Sequence, residues 1–404
     1  MSSLPFRRIA SFVLLQGLSA LVPLLVLPVI NDRVGREGWV SLSIGYGIGA
    51  AAATPAAFGW AVLGPHRVAA ATDETAAAVY LESVITRSVA WVISASVAAC
   101  AAAALAPGEH VMLAVLMAVA ISSWGLTPSW FFIGRGLPSR VAAYETIPRL
   151  VSSVAAIPAV SLLNAPLAYP ILVLATSLAT FCVVTVRLTA PLHGNLALPP
   201  EWRSRLRGHA SLSFSALLGT GYTSLVVPIA RLAHPGVSAL SDIAVATRIR
   251  NMAQMGTASV TSGLQGWASQ GDEVDLPRRR RKALLATSLA GVASALFLFL
   301  LLPPTAHLLF GDVASVSWTL SFLTALAAIP YAIGSSLSFH VLAPLAMTRT
   351  ISLSRIAATI IGVPAIVVGA GLGGAEGVLM ATCLAEWVVV LWQGYSVRGY
   401  LFPR

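Results

Sequence analysis

Arg7 and Arg8, followed by the uncharged run IASFVLLQGLSALVPLLVLPVI at positions 9–30, decide the fold class. A helix rises 1.5 Å per residue, so about 20 apolar residues cross the hydrocarbon core of a bilayer. This run is long enough to cross. It is too long for a signal-peptide core and no small-residue cleavage site follows it, so it reads as a first transmembrane helix that stays. Similar runs recur at about 38–63, 88–107, 111–134, 141–163, 167–186, 208–230, 283–302, 313–346, 351–371 and 375–397. The composition agrees: 57% of the 404 residues are hydrophobic and 10% charged, against about a quarter charged in soluble domains, and the mean hydropathy is +0.83. So many spans leave no room for a sizeable domain outside the membrane.

The segment 238–270 carries Asp242, Arg248, Arg250, Asn251 and Gln254 and scores poorly as a span. The arginines argue for counting it. Basic residues concentrate in cytoplasmic loops, and with twelve spans one side receives Arg7, Arg8, Arg67, Arg87, Arg135, Arg140, Arg149, Arg187, Arg203, Arg205, Arg207, the Arg278 to Lys282 run, Arg349, Arg355, Arg398 and Arg404. The other side receives Arg33, Arg36 and Arg231. This asymmetry puts both termini in the cytoplasm. It also makes 313–346 a single helix, bent near Pro330, because the basic residues on both sides of it must face the same way. The formal charge of +10 therefore has a membrane explanation, and no nucleic acid is expected.

The longest loop, with Pro191, Pro199, Pro200 and three arginines, divides the chain into an N-terminal six-helix lobe at 1–190, a cytoplasmic linker at 191–207 and a C-terminal six-helix lobe at 208–404. An internal repeat supports the division. Val26-Leu27-Pro28-Val29-Ile30 matches Val226-Val227-Pro228-Ile229-Ala230, and Arg149 with Ile157-Pro158-Ala159-Val160 matches Arg355 with Val363-Pro364-Ala365-Ile366. Six spans separate each pair, so the repeat is parallel. The expected architecture is an all-α polytopic membrane protein of two lobes around a central cavity, as in duplicated transporters.

Charges inside spans are costly and mark function. Arg248 and Arg250 lie in one span but point to nearly opposite sides at about 100° per residue, so at most one faces a shared cavity squarely. Arg248 shares a face with Asn251, and Arg250 with Gln254. Arg231 is a further cavity candidate; snorkelling to the cytoplasmic interface is the competing reading for Arg248 and Arg250. Asp242 and Glu386 have no partner nearby in sequence and are candidates for carrying a coupling ion. Glu145 is another, although Arg149, four residues on, is placed to neutralise it. His340 reads as a packed or interfacial histidine. The run Arg278, Arg279, Arg280, Arg281 and Lys282 is suited to anionic lipid headgroups. Cys100, Cys182 and Cys383 have no metal-ligand spacing, and neither a metal nor a cofactor is expected. Gly45, Gly47 and Gly49 lie inside an apolar helix and read as a close-packing face. Gly369 to Gly377 reads as a turn between the last two spans.

Two motifs carry a family resemblance. Pro23-Leu24-Leu25-Val26-Leu27-Pro28 followed by Val34-Gly35-Arg36-Glu37-Gly38-Trp39 resembles the first loop of bacterial polysaccharide flippases of the multidrug/oligosaccharidyl-lipid/polysaccharide exporter superfamily, with Arg36 in place of the usual Pro and Val40 in place of the last Gly. Pro128-Ser129-Trp130-Phe131-Phe132-Ile133-Gly134 is similar to that family's motif at the end of the fourth helix, with Ile133 where Gln is usual. Trp39 and Trp130 also suit a membrane interface. The resemblance implies a flippase of the bacterial cytoplasmic membrane that is not an enzyme and works by alternating access. Its cargo would be a polyprenyl-pyrophosphate-linked glycan, and glycan-assembly enzymes would be its partners. Cavity arginines would bind the pyrophosphate through charge-assisted hydrogen bonds. A drug/cation antiporter of the same superfamily is the alternative, disfavoured by the few acids in the first lobe. A membrane-embedded glycan polymerase or prenyltransferase would need a large outer loop or Asp-rich metal motifs, and the sequence has neither.

Overall fold

A computed structural model describes residues 6–69, 71–192, 202–269 and 275–401, with side chains described at most of these positions from Val26 onward. Among these residues the chain is helical and contains no strand. Seven helical stretches are long and apolar enough to cross a membrane, or eight if the bent pair Val26–Ala56 and Trp60–Val68 forms one span. The chain is a multi-pass membrane protein. By contact it divides into two compact units, one of residues 22–228 and the other of residues 1–21 with 229–404. Most of the linker expected at 191–207 lies outside the described residues.

The first unit takes in most of α1 (Phe6–Ala56), then α2 (Trp60–Val68), α3 (Asp73–Leu105), α4 (Val111–Ser122), α5 (Ser129–Gly134), α6 (Pro138–Val141), α7 (Ile147–Leu163), α8 (Ala168–Thr189) and α9 (Trp202–Ser224). Helix α1 is two helices joined at Gly35, whose φ of 61° lies in the left-handed region that a side chain disfavours. Helix α3 begins at Asp73 because Thr72 accepts the Thr75 backbone N–H, with Asp73 and Glu74 in the positive first turn. It is thus much longer than the apolar run 88–107. Arg87, assigned by sequence to a cytoplasmic loop, lies well inside the helix and is fully buried. Trp39 and Trp130 also depart from expectation. Both are buried, and Trp130 belongs to an aromatic core with Trp60, Tyr80, Phe131 and Phe132.

Gly45 and Gly49 let α1 lie directly on α4: a Cβ on Gly45 would fall 2.2 Å from the Ala114 carbonyl oxygen, and one on Gly49 2.6 Å from that of Ala118. These glycines do serve close packing.

The second unit contains α10 (Val226–Arg231) from Ile229 on, α11 (Val237–Ser269), α12 (Leu276–Phe310), α13 (Trp318–Ser336) and α14 (Thr348–Leu401). The polar segment 238–270 does form a helix. The run 313–346 yields one helix, α13, extended by a π-helical turn at Leu337–Leu342. Pro344 has no N–H to give the His340 carbonyl four residues back, a loss that a wider turn accommodates. Helix α14 is two helices meeting at Gly374, φ 54°. Gly369 and Gly377 face each other across this hairpin so closely that a Cβ on either would strike the other's backbone.

Candidate functional site

A cleft lies inside the first unit, where the turn that follows α4 meets α7 and α8 around a break in the chain. Helix α4 tightens into a 3-10 turn at Ser123–Leu126, and Thr127 is extended at ψ 136°, as a residue before proline prefers. Pro128 cannot donate the next helical hydrogen bond, so the chain restarts as α5 at Ser129. The break presents the Thr127 and Ser129 hydroxyls side by side, 2.9 Å apart. Opposite them, Ala142–Thr146 forms a π-helical turn ahead of Pro148, which leaves the Tyr144 carbonyl without its usual donor. That turn carries Glu145.

Glu145 is the centre of the site. Its Oε2 accepts hydrogen bonds from Thr127 Oγ1 at 3.3 Å and from Ser129 Oγ. Its Oε1 pairs with Arg149 Nη2 at 2.9 Å, with both side chains half-buried. The Arg149 guanidinium lies 4.3 Å from the centre of the Trp124 ring, a favourable cation–π distance. Trp124 in turn packs at near right angles against Tyr46 from α1. The cleft holds about 390 Å³ of space, counting that open to the exterior, and is also lined by Tyr144, Ser152 and Thr176. It combines an aromatic wall, several hydroxyls and one carboxylate whose charge is already matched. A proton or a small cation arriving at Glu145 would compete directly with Arg149.

Behind this site stands Arg87, whose Nη1 donates to the Thr127 carbonyl at 2.8 Å. Its Nε and Nη2 donate to the Ser83 carbonyl and hydroxyl. The rings of Tyr80, Trp130 and Phe181 lie within 6 Å of it. Nearby, Arg67 makes a two-pronged ion pair with buried Glu82, at 2.7 and 3.2 Å. Sequence reasoning missed Arg87, Glu82, Trp124 and Tyr144 as parts of this region. The Thr72-Asp73-Glu74 cap was the signal that would have placed Arg87 and Glu82 inside a helix.

The other candidates lie in the second unit. Arg250 is buried at 5% exposure and donates to Thr382 of α14 at 3.2 Å. Arg248 and Asn251 are half-buried, so the two arginines differ in the way that their angular separation implies. Glu386 and Arg250 both bear electrostatically on Tyr331 and on Cys383, and Arg355 also acts on Tyr331. Asp242 accepts the Ser315 backbone N–H at 2.8 Å while Ser241 donates to the Val313 carbonyl; together they pin the connection between α12 and α13. His340 is buried between Ser336 and the Thr261 carbonyl. Arg231, half-buried, ends α10. The structure thus gathers Arg250 and Glu386 in one region, leaves Asp242 at a loop anchor, and places Glu145 in the other unit. By the repeat, Arg355 answers Arg149, so the position answering Glu145 is Ile351. The carboxylate belongs to one half only.

No family model matches the sequence, and no curated protein matches it. Solved structures do match in fold. DinF-BH, a MATE multidrug transporter, superimposes with a TM-score of 0.67 at 15% identity, covering 100% of this chain and 98% of that one. An inward-facing multidrug resistance MATE transporter of the MOP superfamily gives 0.64 at 16% identity, with 99% and 96% covered. An outward-facing one gives 0.61 at 15% identity, with 97% and 96% covered. Over its whole length, the chain has the fold of the MATE-family transporters of the MOP superfamily.

Proposed function

We propose that this chain is an exporter of the cytoplasmic membrane that works by alternating access and moves amphipathic cations in exchange for a proton or a sodium ion. The whole-length likeness to multidrug transporters is the observation that carries this reading, and it favours the drug antiporter over the lipid-linked glycan. Glu145 is the proposed coupling residue. Neutralising it removes the charge that holds Arg149 and weakens the hydrogen bonds from Thr127 and Ser129 at the break between α4 and α5. Ion binding is thereby converted into a change at a chain break. In proteoliposomes with an imposed proton or sodium gradient, the wild type should accumulate a cationic dye, and Glu145→Gln should lower the rate by tenfold or more at equal protein content. Wild-type rates in that variant would remove Glu145 from the mechanism.

The second reading is the flippase of polyprenyl-pyrophosphate-linked glycans. It is favoured by buried Arg250, by the half-buried Arg248 and by the two family-like motifs. If no gradient drives dye uptake, yet the protein exposes a labelled polyprenyl-pyrophosphate oligosaccharide to an enzyme on the opposite face, and Arg250→Gln abolishes that exposure, this reading replaces the first.

Either reading uses the proposed topology of twelve spans with both termini cytoplasmic. The left-handed glycines at 35 and 374 support it, because each divides a helix too long for one crossing. Single cysteines at Gly236 and Gly373, in a background lacking Cys100, Cys182 and Cys383, should react with an impermeant reagent from outside the cell. One at Leu206 should not. Reaction at Leu206 in intact cells would overturn the arrangement.

A further inference from the structure

Helix α12 sorts the basic run at its start onto two faces. At about 100° per residue, Arg278 and Arg281 fall on the same arc as Leu285, Leu289, Leu296 and Leu300, with Lys282 at its edge. All seven are exposed, the leucines by 55–61%. A stripe of large aliphatic side chains without a polar member suits acyl chains rather than an aqueous cleft, so Arg278, Arg281 and Lys282 stand where that stripe reaches the headgroups. Arg280 begins the opposite face. It is 5% exposed and continues into buried Ala283, Thr287, Gly291 and Ala295. Its Nη1 donates to the Tyr400 hydroxyl at 2.6 Å, tying α12 to the end of α14. Arg279, between the faces, lies 5.6 Å from the Trp267 ring of α11. Asp275, exposed just ahead of the helix, brings one negative charge against three positive ones; Asp272 and Glu273 lie outside the described residues.

We propose that Arg278, Arg281 and Lys282 form a docking surface for the headgroups of anionic phospholipids, and that Arg280 is a tie within the protein that takes no part in it. The division rests on the multi-pass fold and not on the cargo. Each cation near a membrane surface contributes about 1 kcal/mol, or roughly fivefold in affinity.

The test is equilibrium binding of labelled phosphatidylglycerol and phosphatidylcholine to the purified full chain in neutral detergent at low salt. The triple variant R278Q/R281Q/K282Q should reduce the preference for phosphatidylglycerol by about 100-fold. R280Q should keep the preference within threefold while lowering the unfolding temperature. Should the triple variant not fold, K282Q alone should reduce the preference about fivefold. An excess of inorganic phosphate should leave the bound lipid in place. An unchanged preference in the triple variant, an equal loss in R280Q, or displacement by phosphate would each overturn the proposal.

Discussion

Replacing Gly45 by valine is expected to leave almost no folded protein in the membrane. The Cβ alone would sit 2.2 Å from the Ala114 carbonyl oxygen and 3.0 Å from its Cα. The obstacle is backbone, which cannot rotate away as a side chain does. Helices α1 and α4 would have to separate, and Gly49 against Ala118, one turn further on, would lose its contact with them. Overpacking in a well-filled interior costs about 1–3 kcal/mol where side chains can adjust; with backbone on the far side, the loss should exceed that range. Contacts of this kind dominate helix association in lipid, where water expulsion no longer drives it. A Cβ at Gly256, in the interior of α11, would have nothing within 4 Å. Gly256→Ala should therefore be neutral or stabilise by up to about 1 kcal/mol. Yields of monodisperse protein after mild solubilisation compare the two directly, and equal yields would contradict the packing described.

The second large effect is expected at Arg87. Methionine in its place keeps bulk but removes the donors to the Thr127 carbonyl and to Ser83; Ser83 keeps Thr86 and Tyr80 as partners, so the Thr127 carbonyl is the acceptor that loses its side-chain donor. An unsatisfied buried group costs about 1–3 kcal/mol, so Arg87→Met should destabilise by about 1–3 kcal/mol. The damage should also reach the candidate site, since Thr127 connects Arg87 to Glu145. Arg87→Lys should recover only part of the loss, because an ammonium cannot present the guanidinium fork to two acceptor groups at once. Denaturant unfolding in detergent measures the stability, and the dye-uptake assay measures the site. A stability within about 1 kcal/mol of the wild type would show that the Thr127 and Ser83 contacts are dispensable.

Both effects mark a limit of what a linear reading can reach. Gly45, Gly47 and Gly49 were legible as a packing face because small residues spaced along an apolar helix have few other uses. Their partner was not, since any of several helices could have supplied a backbone to touch. Arg87 looked like the last loop residue before an apolar run, and hydropathy averages treat a buried guanidinium and a solvated one alike. The cap at Thr72 carried the missing information, but its consequence depends on Trp130 and Phe181, which arrive from other helices. Glu145 and Arg149 were four apart and recognisably paired. That the pair faces Thr127 and Ser129 follows from a proline break and a π-turn meeting in space.

The membrane class, the all-helical architecture and the duplicated pattern followed from the sequence by itself. Each is a sum along the chain: apolar length against bilayer thickness, charge spacing against helix period, one half laid against the other. Tertiary structure alone decided that Arg280 turns inward while its neighbours Arg278 and Arg281 stay exposed, that Trp130 is core, and that Glu145 faces the Thr127 and Ser129 hydroxyls. The physical reason is that burial and partnership are relations between helices. They depend on how each helix is rotated and where it breaks, and a single turn of a helix, with its 100° step, sends adjacent residues to different environments.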